Sequence, residues 1–334
     1  MLLDFSQYAH PEDIVNSTNE FDEKVLLFIR KWHSQKKFTV HTSGSTSTPK
    51  SIVHTKEAMV NSAKLTGVFF QFQKGNTALL CLPVTKIAGM MMVVRAIVWK
   101  LKLYTLPPKF KLDLNSLPKI TFGALIPPQA IENFEHLDRI KTILLGGAGV
   151  PEHFQEKIKN HPSKFYLSYG MTETVSHIAL RKLNGYDASS SFNVMKNITL
   201  STDEESRLCI SAPHLGIDLL KTNDVIKLYS NNTFEFVGRY DNIINSGGLK
   251  INTEDIEKQL YPYISKPFYI KGAPDSKLGE RVVLFIEDKI WNKKKIEKLK
   301  EKFRNLKPKQ SAPRDIVFKE NFSYTSTGKI IRKI

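Results

Sequence analysis

Apolar and polar positions alternate in short runs along most of the chain, and turn residues or stretches of helical spacing separate the runs. FTVHT (38 to 42) reads as a strand entering SGSTSTPK, a cluster of small and turn-forming residues, and SIVHT (51 to 55) alternates as a second strand. Thr55 is then placed to cap a helix through KEAMVNSAKLTGVFF. Further strand-like runs follow at TALLCLP (77 to 83), KLYTLP (102 to 107), ITFGALIP (120 to 127), TILLGGA (142 to 148) and KFYLSYG (164 to 170). Helical patterns such as PPQAIENFEHLD and PEHFQEKIKNH lie between several of them. Strands alternating with helices predict an α/β fold with a mainly parallel sheet, whose ligands gather at the carboxyl ends of its strands. Gly146-Gly147 and the segment Tyr169 to Glu173 fall at such ends.

From about Asp203 the pattern changes to short strands with Asn, Gly and Asp turns: RLCIS, DVIKLYS and TFEFVGR. After Gly238-Arg239 it becomes mixed, with INTEDIEKQL helical and PFYIKGAPD and ERVVLFIE as strands. A boundary at Tyr240 to Asp241 divides the chain into a large unit, 1–239, and a small α+β unit, 240–334.

Composition narrows the class. The 334 residues are 41% hydrophobic and 25% charged, the balance of a folded soluble chain. The richest apolar stretch, Gly89 to Leu103, contains Arg95 and Lys100 and is shorter than the roughly 20 residues of a membrane-spanning helix. The amino terminus carries acids and lacks the basic-then-apolar order of a secretory signal, so a cytoplasmic location is expected. Cys81 and Cys209 stand far apart in apolar contexts and offer neither a disulfide framework nor a zinc spacing.

The net charge is +16. Lys289 to Lys309 holds ten basic and two acidic residues, which is half of that excess. Within it Ile296, Leu299, Phe303 and Leu306 form the apolar stripe of a surface helix, so the lysines read as its solvated face. No aromatic interleaving accompanies them, and nucleic acid is not an expected partner.

The segment Thr42-Ser43-Gly44-Ser45-Thr46-Ser47-Thr48-Pro49-Lys50 packs six hydroxyls, a glycine and a lysine into nine positions. Hydroxyls and free N–H groups in a tight turn can surround phosphate oxygens, and the lysine adds charge. Read as a Walker A loop it departs at Pro49, and a strand follows where that motif has a helix.

Four further motifs follow in order: Tyr169-Gly170-Met171-Thr172-Glu173, Asp224 within TND, Gly238-Arg239-x-Asp241, and Thr327-Gly328-Lys329-Ile330-x-Arg332. Together with the loop they resemble the signature set of the adenylate-forming superfamily of acyl-CoA synthetases, luciferases and peptide-synthetase adenylation domains. The resemblance implies a truncated AMP-binding domain, with a small β-rich subdomain, and a mobile carboxyl-terminal lid. It implies that a carboxylate attacks the α-phosphate of ATP to give an acyl-adenylate, from which a thiol such as CoA displaces AMP.

Residue by residue, the resemblance gives Thr42, Ser43, Gly44, Ser45, Thr46 and Lys50 the β- and γ-phosphates. Gly146, Gly147, Ala148 and Tyr169 would line the adenine pocket, Gly170 and Met171 would also bind ATP, and Thr172 would touch phosphate. Glu173 would bind magnesium, for which a hard carboxylate shared with the nucleotide suffices. Asp224 would accept the ribose hydroxyls beside Arg239. Lys329 would be catalytic, a mobile cation on charge that builds in the transition state. Asp241 would be the hinge, and Gly247, Gly248 and Lys250 would border the CoA channel.

Leu82-Pro83-Val84-Thr85-Lys86-Ile87-Ala88-Gly89, with Arg95 six residues on, resembles a segment of o-succinylbenzoate-CoA ligases, with Lys86 in place of a histidine. In that reading Arg95 and Lys86 are substrate residues, and Arg95 pairs with the second carboxylate of a dicarboxylic acid. Forty-one residues precede the loop, so much of the family's amino-terminal subdomain is expected to be missing. The expectation is an acid–thiol ligase forming o-succinylbenzoyl-CoA for menaquinone synthesis. The alternatives are another aryl- or acyl-CoA ligase, a carrier-loading adenylation enzyme, or a nucleotide-binding protein without catalysis.

Overall fold

The structure, a computed structural model, describes residues 1–7, 19–41, 50–230, 232–324 and 330–332. It begins with β1 (Leu2–Asp4), α1 (Glu20–Ser34) and the hairpin strands β2 (Lys37–His41) and β3 (Ser51–Thr55). The Thr55 hydroxyl accepts the Ala58 N–H at 3.1 Å and opens α2 (Lys56–Phe70), as the sequence predicts. There follow β4 (Thr77–Leu80), α3 (Ile87–Trp99), β5 (Lys102–Thr105), β6 (Ile120–Leu125) and α4 (Pro127–Glu132). Next come β7 (Ile140–Leu145), α5 (Glu152–Ile158) and β8 (Lys164–Gly170).

An antiparallel series continues the chain: β9 (His177–Lys182), β10 (Phe192–Val194), β11 (Thr199–Thr202), β12 (Arg207–Ala212), β13 (Ile217–Ser230) and β14 (Thr233–Arg239). The remainder is β15 (Ile243–Ser246), β16 (Leu249–Asn252), α6 (Thr253–Leu260), β17 (Phe268–Asp275), β18 (Gly279–Glu287), α7 (Lys293–Phe303) and β19 (Asp315–Lys319).

Twelve strands form one sheet in the order β1-β5-β4-β6-β7-β8-β9-β10-β14-β13-β12-β11. The ladders β5-β4-β6-β7-β8 are parallel and the others antiparallel. The β-rich stretch read as a subdomain therefore continues the parallel sheet without a break. The reason is local: β8 and β9 are joined by a short turn, and a hairpin carries the ladder across. β4 and β6 are shorter than their apolar runs, because the runs lead into Pro83 and Pro127, which have no N–H to donate.

The hydrophobic core around the large sheet draws on buried residues from Leu3 to Phe234, with Met1 and Phe236 among the half-buried ones packed against it. Two smaller clusters, drawn from Ile244 onward, fill the space around the sheet of β15 to β19. In α7 the stripe behaves as its spacing predicts: Leu299 and Phe303, with Leu306 just beyond, are buried and the lysines are exposed. Both cysteines are buried and free, and burial pushes the Cys81 thiol up to about 12. Among the described residues no helix is long and apolar enough to cross a membrane.

Candidate functional site

The parallel strands aim their carboxyl ends at one edge, where the motifs collect. β7 ends at Leu145 and leads into Gly146-Gly147-Ala148, and its neighbour β8 ends at Tyr169-Gly170. Tyr169 is buried, its ring centroid 5.2 Å from Phe234 and 5.8 Å from Phe192. Its hydroxyl donates to Asp224 Oδ2 at 2.6 Å. Burial, with the adjacent Asp224 charge, holds the phenol well above its usual range, so Tyr169 keeps its proton and donates it in this hydrogen bond.

Asp224 lies within β13, directly across from Arg239 on β14, and not in a turn. Arg239 Nη1 stands 3.4 Å from Asp224 Oδ1, an ion pair without hydrogen-bond geometry. That buried Oδ1 accepts no hydrogen bond among the described residues. A buried carboxylate oxygen with nothing to accept is the kind of acceptor a bound hydroxyl completes. Arg239 Nη2 also donates to Asp241, which Asn223 Nδ2 reaches at 3.1 Å. Asp241 sits in the turn that leads from β14 to β15.

Past β8 the chain makes a tight turn from Met171 to Ser176. Only glycine fits at 170, since a Cβ there would stand 2.4 Å from the Ser176 carbonyl oxygen. Val175, a β-branched residue, has φ 65 and ψ −50, and the Ser176 N–H donates to the Thr174 carbonyl at 2.7 Å. This is the strained γ-turn of positive φ, held here by the Thr174 hydroxyl, which accepts from Met171 N–H and donates toward carbonyls of the same turn. His54 on β3 contacts the Thr172 carbonyl through Nε2 at 2.8 Å. Burial lowers the His54 pKa against the opposing pull of that carbonyl and of Glu173, which favours the neutral Nε2–H form as donor. Glu173 itself is half-buried, and its carboxylate makes no hydrogen bond or ion pair among the described residues.

Arg95 lies inside the protein with 2% of its surface exposed. It sits on α3 against α2, which come close because Gly67 leaves room for the Trp99 indole. Its Nε donates to Thr66 Oγ1 at 3.2 Å and its Nη2 to Ser176 Oγ at 2.6 Å. Thr66 spends its one proton on the Ser62 carbonyl, so it accepts from His177 Nε2–H at 3.2 Å; His177 Nδ1 then accepts from Ser176. His177 is thereby assigned as neutral, and burial, with Arg95 beside it, depresses its pKa. Among the described residues no carboxylate lies within ion-pair distance of Arg95, and burial lowers its pKa to about 9. Lys86 is at the amino end of α3, about 13 Å along the axis from Arg95 at 1.5 Å per residue.

The loop Thr42 to Thr46 and Lys329 lie outside the described residues. Lys50 is exposed just before β3. Gly247 and Gly248 make the turn between β15 and β16, and Lys250 is exposed on β16. The sequence singles out Tyr169, Asp224, Arg239 and Arg95 as candidates and does not single out His54, Thr66, Ser176 or His177, which the structure places against them or against the Met171–Ser176 turn. Only the adjacency of Ser176 and His177 to the Tyr169–Glu173 motif could have drawn attention to the last two.

Residues 33–203 match the family model described as AMP-binding enzyme. The chain belongs to that family. It is 33% identical, over 99% of its length and 97% of the other chain, to a solved acyl-CoA synthetase (AMP-forming)/AMP-acid ligase II-like protein from Dyadobacter fermentans, with a TM-score of 0.68. It is 25% identical, over 74% of its length, to the 2-succinylbenzoate–CoA ligase of Haemophilus influenzae. The chain spans 58% of the length of that relative. The fold is shared with the o-succinylbenzoate coenzyme A synthetase of Bacillus subtilis solved in complex with ATP and magnesium ion, at TM-score 0.75 and 18% identity, covering 88% of this chain and 68% of that one.

Proposed function

We propose that the chain is an ATP-dependent acid–thiol ligase, with o-succinylbenzoate as the acid and CoA as the thiol. A carboxylate oxygen attacks the α-phosphorus and pyrophosphate leaves; the thiolate then attacks the acyl carbon and AMP leaves. The observation that carries the choice of acid is Arg95, a buried guanidinium whose neighbours are two hydroxyls, a thioether and a neutral imidazole. Burying an unpaired cation costs several kcal/mol, and a second carboxylate on the substrate would offset that penalty. The likeness to 2-succinylbenzoate–CoA ligases points the same way.

In this reading Asp224 Oδ1 accepts ribose hydroxyls while Tyr169 and Arg239 orient the carboxylate. Gly146, Gly147, Ala148 and Tyr169 border the adenine, Gly170 and Met171 also meet ATP, and Thr172 meets phosphate. The loop Thr42 to Lys50 holds the β- and γ-phosphates. Glu173 fits a magnesium ion by its chemistry, a half-buried hard donor committed to no other group among the described residues. When bound, the ion would neutralise phosphate charge. Lys329 stabilises the charge that develops at the α-phosphate. The units 1–239 and 240–334 move about Asp241, bringing Gly247, Gly248 and Lys250 to CoA; the change of core between Phe236 and Ile244 supports that boundary.

One observation favours a second reading, a ligase for another aryl or acyl acid: Lys86 stands where the o-succinylbenzoate enzymes have histidine. Pyrophosphate release with o-succinylbenzoate, benzoate and a fatty acid separates the two. A preference for o-succinylbenzoate supports the first, and equal release with monocarboxylic acids overturns it.

A further inference from the structure

The hairpin β2–β3 is a two-stranded sheet of its own, outside the twelve-stranded one. Its position relative to the turn Met171–Ser176 is therefore set by side chains and not by a shared ladder. On one side the hairpin packs on α1, with Phe38 5.2 Å from Trp32 and 5.8 Å from Phe28. Toward the turn it sends His54, the buried side chain of β3, whose Nε2 donates to the Thr172 carbonyl.

That carbonyl occupies a particular place. It also accepts the Val175 N–H at 3.1 Å, which closes the turn just before the strained Val175. One end of the turn carries Thr172 and Glu173. The other carries Ser176, which receives Arg95. A turn that holds a β-branched residue at positive φ persists only when its surroundings over-determine it, and His54 supplies one of those constraints from a separate sheet.

We propose that His54 is a positioning residue: its hydrogen bond to the Thr172 carbonyl fixes the turn so that Glu173 and Ser176 stand correctly at the nucleotide and acid ends of the site. The proposal rests on the reading of Glu173 as the magnesium carboxylate. His54 touches no substrate; it acts through the backbone of residue 172. A donor of similar reach should replace it, and a side chain of similar bulk without a donor should not.

The test compares the full chain with its His54→Leu, His54→Gln and Glu173→Gln variants. The dissociation constant of Mn2+ is measured by electron paramagnetic resonance with a non-hydrolysable ATP analogue present, alongside kcat, the KM for o-succinylbenzoate and the Tm. His54→Leu is expected to weaken Mn2+ five- to tenfold and to lower kcat tenfold or more, and His54→Gln to recover both to within threefold. If His54→Leu does not fold, His54→Asn, whose shorter amide stops short of Thr172, takes its place with the same expectation. A His54→Leu, or the His54→Asn that replaces it, with Mn2+ affinity and kcat within twofold of the parent overturns the proposal, as does a His54→Gln no better than that variant. If Glu173→Gln leaves Mn2+ affinity unchanged, the metal reading fails instead, a result distinct from either of these.

Discussion

Tyr169 and Asp224, fifty-five residues apart, meet through a 2.6 Å hydrogen bond that fixes one carboxylate oxygen and leaves the other buried and, among the described residues, without a hydrogen bond. Asp224→Ala should weaken ATP binding about tenfold or more, since a charge-assisted bond contributes about 1.5–3 kcal/mol. Tyr169→Phe, which only frees the carboxylate to rotate, should lose less. Calorimetric titration of ATP into the folded variants checks both, and unchanged affinity in Asp224→Ala would remove that residue from the site.

Arg95→Met should raise the Tm while raising the KM for o-succinylbenzoate tenfold or more. The Tm rises because a buried cation with no carboxylate partner among the described residues is removed, and the KM rises because the substrate's second carboxylate loses its partner. Lys86→Met, at the far end of α3, should leave the ratio of kcat/KM between o-succinylbenzoate and benzoate closer to the parent value than Arg95→Met does. The opposite ranking would transfer the role to Lys86.

The His177 environment gives stability a pH dependence of known sign. Its folded pKa lies well below 6.5, so between that lowered value and 6.5 the unfolded chain binds more protons than the native one. The His177 contribution is thus fully present above pH 6.5 and is lost as pH falls below it. His177→Gln should flatten the decline of Tm between pH 6.5 and about 5.5. An unchanged slope would show that this imidazole charges as readily in the folded protein as outside it.

Lys329→Ala should abolish adenylate formation while leaving ATP affinity within a few-fold and thioester formation from added acyl-adenylate largely intact. Separate assays of the two half-reactions decide it. Equal loss in both would withdraw the catalytic assignment.

The sequence by itself determined the alternation of strands and helices, because apolar spacing and turn residues are local: β3, β8 and β14 coincide with their runs, and Thr55 caps α2. It also singled out Tyr169, Asp224, Arg239 and Arg95 as candidates, each marked by a neighbouring motif. Tertiary structure alone decided that β8 and β9 join two kinds of ladder in one sheet, since strand pairing depends on partners distant in the chain. It alone revealed that Arg95 is a buried cation among hydroxyls and, among the described residues, not one end of an ion pair. His54, Thr66 and His177 were invisible for the same reason: a histidine in a strand or a threonine in an apolar helix carries no local signature, and its meaning comes from the carbonyl or guanidinium that packing places against it.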